Sequence, residues 1–286
     1  MPPYSPCYLC HHTHPERIHS GTRDRADIDV LRCPACTLVY LSKTEHATLD
    51  LYTQNGQAHS TKSIPINKNE QDTLRRIRQY APLIANKTLL DFGCGKGAFV
   101  ERIMADQITT NIYTIEPNVS YKNHLLQVST YARSITDIPD HEIDVITLFH
   151  VLEHIADPIA QLSAFAPKLK PNGRIIIEVP HAEDALLNLY KSASFAKFTY
   201  WSLHLYLFNQ KTLRLLAKQT PFKVESIRYS QRYGLSNHLH WLATHQPGGQ
   251  NNWDFLNDPM LDEMYEAKLA ELERTDTITM TLVKEI

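Results

Sequence analysis

Leu89-Leu90-Asp91-Phe92-Gly93-Cys94-Gly95-Lys96-Gly97 decides the fold of this chain, because an apolar run meets three glycines at alternate positions here and continues into a helical pattern. Three of the nine glycines of the sequence fall in this stretch, which predicts a strand, a tight turn and a helix. About twenty residues further on, a second short apolar run ends on Glu116, where a carboxylate can hold both hydroxyls of a ribose. Together the two stretches predict half of a nucleoside-binding βαβ fold.

The glycine turn also resembles that of a known family. The order D-F-G-C-G-K-G, from Asp91 to Gly97, is similar to motif I of the class I S-adenosylmethionine (SAM)-dependent methyltransferases and differs from the G-x-G-x-x-G turn of dinucleotide enzymes. The resemblance implies an α/β fold, with a Rossmann-like seven-stranded sheet, helices on both faces and SAM as cofactor. It places Ser134 where the family commonly has an acid that contacts adenine. The expected cofactor-binding residues are Asp91, Gly93, Gly95, Gly97, Glu116, Ser134, Ile135 and His150.

Composition narrows the class of protein. The hydrophobic fraction of 43% is ordinary for a globular chain, and the formal net charge of −2 gives no global attraction for phosphate backbones. No apolar run approaches the roughly 18 residues of a membrane helix, and the first residues lack the pattern of a signal peptide. We therefore expect a cytoplasmic protein without membrane or nucleic-acid partners; the oligomeric state is left open.

Two C-x-x-C pairs near the N-terminus predict a zinc ribbon. Cys7 and Cys10 form the first pair, and Cys33 and Cys36 form the second. A two-residue gap lets both thiolates of a pair bind one ion, and four thiolates complete a closed, structural zinc site. Disulfides are not expected in a cytosolic chain. A nearby histidine could replace one cysteine: His11, His12, His14 or His19.

The domain organisation follows from these patterns. We expect a zinc ribbon over residues 1–42, a linker or lid over 43–66, and a methyltransferase domain over 67–286. A helix is expected over 69–84 and another over 182–198. A seven-stranded core usually closes with a short connection between its last two strands, whereas this chain has an insertion at 230–275.

A second stretch that carries chemistry follows the predicted fourth strand. It reads His150-Val151-Leu152-Glu153-His154, and His150 should lie at the reacting centre because the C-terminal ends of parallel strands face the ligand crevice. If this piece is helical, His150, Glu153 and His154 share one face. The motif resembles that of a group which includes the ubiquinone-pathway O-methyltransferases, some of which hold a divalent ion in an acid-rich version. Here His150 replaces the first acid, so a metal at this segment is left open.

Three histidines are candidate general bases. A neutral imidazole at the end of a core strand suits this role, because its pKa lies near the working pH. His150 follows the fourth strand, and His181 follows the fifth. His154 is the third candidate, and the alternative for it is a helix-surface residue beside Glu153.

The insertion is expected to wall the acceptor pocket. Residues 231–241 combine hydrogen-bonding side chains with aromatic rings, a mixture that suits sugars. The alternative is that they cap the sheet edge, with Leu235, Leu239 and Leu242 as the packing face. The expected substrate-binding residues are His204, Tyr206, Tyr233, Asn237, His238 and His240.

The combination of ribbon and H-V-L-E-H core resembles methyltransferases of sugar and secondary-metabolite pathways. It implies methyl transfer from SAM to a hydroxyl, or to an adjacent carbon, of a sugar or sugar-derived small molecule in glycan or secondary-metabolite biosynthesis. One alternative is an RNA methyltransferase, since some of these carry an N-terminal zinc module. The other is a zinc-ribbon protein whose core binds ligand without turnover.

Overall fold

The N-terminal region forms a small antiparallel sheet. The computed structural model describes residues 4–48 and 66–285, and only the backbone of 66–69. Strands β1 (Glu16–His19), β2 (Val30–Arg32) and β3 (Val39–Leu41) pair in sequence order. Cys33 and Cys36 lie in the turn between β2 and β3. Most of the predicted linker or lid over 43–66 lies outside the described residues.

Seven further strands form the central sheet, and one short strand joins the N-terminal sheet. Their bounds are β4 (Leu89–Phe92), β5 (Ile112–Ile115), β6 (Thr130–Ala132), β7 (Ile143–Phe149), β8 (Leu169–Pro180), β9 (Tyr206–Leu207), β10 (Phe222–Ser230) and β11 (Thr277–Lys284). The central order is β10-β11-β8-β7-β4-β5-β6, with β11 antiparallel to both neighbours and the other pairs parallel. The predicted α/β Rossmann-like, seven-stranded fold is confirmed.

Strand β7 shows why the sheet forms as it does. Ile143, Val145, Ile146 and Leu148 are all buried, so side chains on both faces of the strand are covered. Such a near-continuous apolar run is typical of a parallel strand with helices on both sides. Parallel strands end at one edge of a sheet, and this edge gathers the residues that follow β4, β5 and β7.

Helices cover both faces of the central sheet. They are α1 (Ile66–Ile84), α2 (Ala98–Ala105), α3 (Lys122–Val128), α4 (Pro158–Phe165), α5 (Ala185–Asn188), α6 (Ala193–Thr199), α7 (Gln210–Ala217), α8 (Leu235–Thr244), α9 (Gly249–Asn252) and α10 (Pro259–Glu271). In the described part of the chain, none of them has the length and apolar character needed to cross a membrane.

The predicted helix over 182–198 is wrong as a single element. The structure has α5 and α6 instead, separated at Lys191, whose φ of 50° is left-handed. Ser192 then begins α6, because its hydroxyl accepts a hydrogen bond from the backbone N–H of Phe195 at 3.3 Å. A left-handed residue followed by a new cap ends one helix and starts the next.

The insertion over 230–275 lies between β10 and β11 and is mainly helical, with α8, α9 and α10. Strand β10 runs parallel to β8, because each pairs antiparallel with β11. Its C-terminal end therefore lies at the same sheet edge as the end of β7, and the insertion starts beside His150.

The ribbon and the core are joined through one sheet. Strand β9, from the core, pairs antiparallel with β3, placing Val39 opposite Leu207 and Tyr40 opposite Tyr206. A single cluster of buried apolar residues runs through both regions. The division at residue 42 stays a prediction, and the packing across it is continuous.

Candidate active site

The glycine turn between β4 and α2 is left-handed at three alternate residues. The φ angles are 73° at Gly93, 56° at Gly95 and 85° at Gly97. A Cβ atom on Gly93 would lie 2.5 Å from a methyl carbon of Val151, whereas a Cβ on Gly95 would meet nothing within 4 Å. Gly93 is thus needed because the loop after His150 packs against it. At Gly95 the backbone borders open space, as the approach of a ligand requires.

Glu116 closes this turn from the end of β5. One carboxylate oxygen accepts a hydrogen bond from the Gly95 N–H at 2.8 Å, and the other accepts one from the Asn118 N–H at 2.8 Å. Burial raises the pKa of the Glu116 carboxyl. The structure therefore brings the predicted ribose-binding acid directly to the predicted ligand turn, and these residues fit the nucleoside and amino-acid parts of SAM.

The other predicted cofactor residues surround this turn. Asp91 is buried and accepts a hydrogen bond from the Thr147 hydroxyl at 2.7 Å, and burial raises its pKa to about 6. Ser134 begins the loop after β6, where its N–H donates to the Asp137 carboxylate at 3.1 Å. Ile135 starts the short 3-10 turn that follows. The contact of Ser134 with adenine and that of Ile135 with the cofactor stay predictions.

His150 lies at the end of β7 between two buried carboxylates. Its Nδ1 is 3.4 Å from Glu153, and its Nε2 is 3.4 Å from Glu178. The side chain is 21% exposed, whereas both glutamates are fully buried. Nη1 of Arg232 donates a hydrogen bond to Nε2 at 3.0 Å. An acceptor at Nε2 places the imidazole proton on Nδ1, facing Glu153.

The segment after His150 is not the regular helix considered above. Residues Leu152–His154 form one 3-10 turn, and His150 has a left-handed φ of 57°. This geometry places Glu153 between the two imidazoles, within 3.4 Å of His150 and 4.0 Å of His154. Neither carboxylate oxygen of Glu153 has a hydrogen-bond partner among the described residues.

Glu153, His154 and His204 form a cluster that could hold a metal ion. One ligand atom from each lies within 4.8 Å of the others. The Nδ1 of His154 donates to the Leu203 carbonyl at 2.7 Å, which leaves Nε2 as its ligand atom. Burial lowers the pKa of His204 to about 3. Two imidazoles and a carboxylate suit a transition metal better than magnesium.

His181, the second candidate base, is buried and hydrogen-bonded to the backbone. It is 3% exposed, and its Nδ1 donates to the Thr275 carbonyl at 2.9 Å. Burial lowers its pKa to about 4, so the ring is neutral near pH 7. The structure places it under the end of the insertion, with its ring 5.5 Å from that of Tyr229. Its role as a base stays a prediction with little support from this geometry.

A group of ion pairs beside His150 was not predicted. Arg75 and Arg76 of α1 reach the carboxylate of Glu178 at 2.9 and 2.6 Å, and Glu178 is fully buried. Burial opposes the charge of Glu178, but Arg76, His150 and Arg75 hold its pKa well below its usual value. The signal in the sequence was a single acid inside the apolar run of β8.

Three of the predicted substrate-binding residues, Tyr206, His238 and His240, make side-chain contacts with other parts of the protein. Tyr206 packs its ring 5.3 Å from that of Tyr8 in the ribbon, and its hydroxyl donates to the Ala156 carbonyl at 2.9 Å. His238 is hydrogen-bonded to the Tyr265 hydroxyl at 2.8 Å, and His240 to the Gln246 carbonyl at 2.9 Å.

Two residues complete that set. Asn237 is buried within α8. Tyr233 follows Arg232, whose guanidinium carbon lies 6.0 Å from its ring. The structure therefore brings Arg232 to His150, whereas His238 contacts Tyr265 and Tyr190, and His240 contacts Gln246.

The four ribbon cysteines converge as predicted. Their Sγ atoms all lie within 4.8 Å of one another, with Cys7 3.5 Å from Cys36 and Cys10 3.4 Å from Cys33. Four thiols at these separations match the donor set of a structural zinc site.

Comparisons with known proteins agree with this geometry. A family described as "Methyltransferase domain" matches residues 66–227. The ubiquinone biosynthesis O-methyltransferase of Histophilus somni is 31% identical over 123 residues, which are 38% of this chain and 51% of that protein. The enzyme of that name from Hydrogenovibrio crunogenus is 28% identical over 110 residues, or 34% of this chain and 44% of that protein. The chain thus spans about half the length of the curated relatives it matches.

A solved structure shares the fold. The SAM dependent methyltransferase from Archaeoglobus fulgidus superimposes with a TM-score of 0.51 at 20% identity, over 75% of this chain and 94% of that one.

Proposed function

Since the chain belongs to the methyltransferase domain family and has the fold of the class I SAM-dependent enzymes, we propose that it transfers the methyl group of SAM to a hydroxyl oxygen of a small molecule. One observation carries this proposal. His150 lies between Glu153 and Glu178, and the next residue, Val151, packs against Gly93 of the ligand turn. A general base therefore borders the cofactor site.

The side chains around His150 define the proton transfer. Bound SAM supplies an electrophilic methyl group on its sulfonium. Nε2 of His150 accepts the proton of the acceptor hydroxyl, an oxygen lone pair forms the new bond to the methyl carbon, and the electrons of the broken S–C bond remain on sulfur. The carboxylates of Glu153, 3.4 Å from Nδ1, and of Glu178, 3.4 Å from Nε2, stabilise the imidazolium that forms. The rest of the rate acceleration comes from holding the acceptor oxygen and the methyl group in line with each other.

The chemical class of the acceptor has two candidates. The combination of ribbon and core resembles methyltransferases of sugar and secondary-metabolite pathways, which favours a sugar or sugar-derived molecule. An aromatic hydroxyl is favoured by the relatives, which are named ubiquinone biosynthesis O-methyltransferases. Release of S-adenosylhomocysteine in the presence of catechol or of methyl glucoside distinguishes the two. If the protein binds SAM but releases S-adenosylhomocysteine with no hydroxyl compound, only a ligand-binding role is left.

We predict that Gly95→Val and Glu116→Ala each weaken SAM binding. Valine would be strained at a φ of 56° and would fill the open space beside the turn. Loss of the Glu116 carboxylate removes charged hydrogen bonds worth roughly 1.5–3 kcal/mol each, so affinity should fall by at least tenfold. Isothermal titration calorimetry measures both variants. Wild-type affinity in both would contradict the cofactor site.

We also propose that the four cysteines bind one structural zinc ion. One zinc per chain should co-purify, and Cys7→Ser with Cys36→Ser should remove it and make the ribbon sensitive to protease. Elemental analysis under reducing conditions tests this, and a wild-type protein without zinc would refute it. A second equivalent of metal, lost in a His204→Ala variant, would locate an ion at the Glu153, His154 and His204 cluster.

A further inference from the structure

The insertion contributes one charged side chain to the reacting centre. Arg232 comes two residues after the end of β10, and its guanidinium reaches both α1 and His150. Its backbone is fixed as well, because the Arg232 N–H donates to the Asp276 carboxylate at 3.0 Å and the Tyr233 N–H donates to it at 3.1 Å. The start of the insertion is therefore held rigidly against the beginning of β11.

Asp72 of α1 sets the orientation of this guanidinium. Nε of Arg232 donates to Oδ2 of Asp72 at 2.7 Å, and Nη2 donates to the same oxygen. The Arg232 and Asp72 side chains are 19% and 9% exposed. Burial opposes the charge on Arg232, but Asp72 outweighs it and raises the pKa of the guanidinium. The group is thus permanently cationic, and Nη1 points at Nε2 of His150.

This arrangement constrains any acceptor that His150 can deprotonate. A hydroxyl that donates its proton to Nε2 must place its oxygen about 2.6–3.2 Å from that atom. Since Nη1 of Arg232 lies 3.0 Å from Nε2, the same oxygen comes within reach of a guanidinium N–H. The acceptor O–H then replaces Nη1 as the donor to Nε2, and Nη1–H turns to the acceptor oxygen.

We propose that Arg232 is a catalytic residue that binds the acceptor oxygen and stabilises the negative charge developing on it during methyl transfer. This inference rests on the function proposed above. The proton moves from oxygen to Nε2, an oxygen lone pair forms the bond to the methyl carbon, and the electrons of the broken S–C bond remain on sulfur. A fixed cation is most useful where charge develops on oxygen, so weakly acidic hydroxyls should depend on Arg232 more than acidic ones do.

The test compares two acceptors in the full-length protein. Removing one group that stabilises an oxyanion typically costs about 10²–10³-fold in turnover, so Arg232→Gln should lower kcat for catechol by that amount. The loss should be much smaller for 4-nitrocatechol, whose hydroxyl ionises without help. An equal loss with both acceptors, or no loss with either, would overturn the proposal, because a purely structural arginine would not distinguish them.

A spectroscopic measurement avoids dependence on turnover. Ionised 4-nitrocatechol absorbs visible light, so its ionisation on the protein saturated with S-adenosylhomocysteine can be titrated. Wild-type protein should lower the pKa of the bound probe, Arg232→Lys should keep part of the shift, and Arg232→Gln should abolish it. If Arg232→Gln keeps the pKa shift that the wild type gives the bound probe, the role proposed for Arg232 is wrong, although the proposed methyl transfer is unaffected.

Two controls separate the possible failures. Arg228→Gln changes an exposed arginine on β10, four residues before Arg232, and should leave both readouts unchanged. Thermal unfolding and SAM titration show whether each variant is folded. If Arg232→Gln is not folded, the comparison of Arg232→Lys with the wild type tests the role of Arg232. If wild-type protein neither methylates nor binds the two probes, an aromatic hydroxyl as acceptor is excluded, and the role of Arg232 at such an acceptor is excluded with it.

Discussion

Replacing His150 by alanine should lower the turnover number by about 10²–10⁴-fold, the usual contribution of a general base, while SAM affinity stays near that of the wild type. Val151, which follows His150, packs against Gly93 of the glycine turn, whereas the imidazole itself contacts Glu153, Glu178 and Arg232. Its loss therefore removes the base, and any cofactor contact of His150 itself, while the glycine turn and Glu116 keep theirs. Steady-state kinetics with S-adenosylhomocysteine release and calorimetry with SAM measure the two quantities.

The other two candidate histidines provide matched variants. His181→Ala removes a hydrogen bond to the Thr275 carbonyl, and His154→Ala removes one to the Leu203 carbonyl. Both should affect stability more than turnover per folded molecule. If His181→Ala abolishes turnover in folded protein while His150→Ala does not, His150 is not the base.

Replacing Glu178 by alanine should lower the free energy of unfolding by about 3–5 kcal/mol, because it leaves buried charges without a partner. Arg75 and Arg76 are only 15% and 14% exposed and both pair with this carboxylate. Urea denaturation followed by circular dichroism measures the change.

The surface pair of Arg174 and Glu225 is a matched control. Its N···O distance of 2.6 Å equals that between Arg76 and Glu178, but its side chains are 34% and 35% exposed. Glu225→Ala should therefore cost about 0–1 kcal/mol. Equal losses from Glu178→Ala and Glu225→Ala would contradict the view that burial controls the value of these pairs.

The stability of the Glu178 cluster should also depend on pH. Burial opposes ionisation of Glu178, but its cationic neighbours keep its pKa well below the value of 4.5 that an unperturbed glutamate has. Its contribution is thus fully present above about pH 4.5 and is lost as pH falls through the folded pKa. As pH falls below about 4.5, the free energy of unfolding of Glu178→Gln should therefore decrease less than that of the wild type.

Local sequence patterns were sufficient for the fold and for part of the site. The strand, turn and helix around Gly95 depend on near neighbours, and Glu116 reaches the turn because it follows the adjacent strand. The position of His150 follows from the same rule for strand ends. The seven-stranded sheet and the position of the insertion were predictable on this basis.

The ion pairs around His150 were not predictable in this way. Arg76 and Glu178 are 102 residues apart, and Asp72 and Arg232 are 160 residues apart. No periodicity reports a contact over such distances, although charged residues three and four apart on α1 show that one side of this helix is polar. The role of the α8 histidines in substrate binding stays a prediction, since residue type does not reveal whether a side chain faces a ligand or its own element.

The pairing of β3 with β9 has a consequence for the order of events during synthesis. All four cysteines precede the core in the chain, so the metal-binding half of the ribbon is made before the strand that pairs with β3. Its outer edge gains Tyr206 and Leu207 as partners only after most of the chain has left the ribosome, because chains are made from the N-terminus. Until then β3 is an open edge that could pair with another nascent chain. The ribbon is made before the core, but its sheet is completed only after β9 has been made.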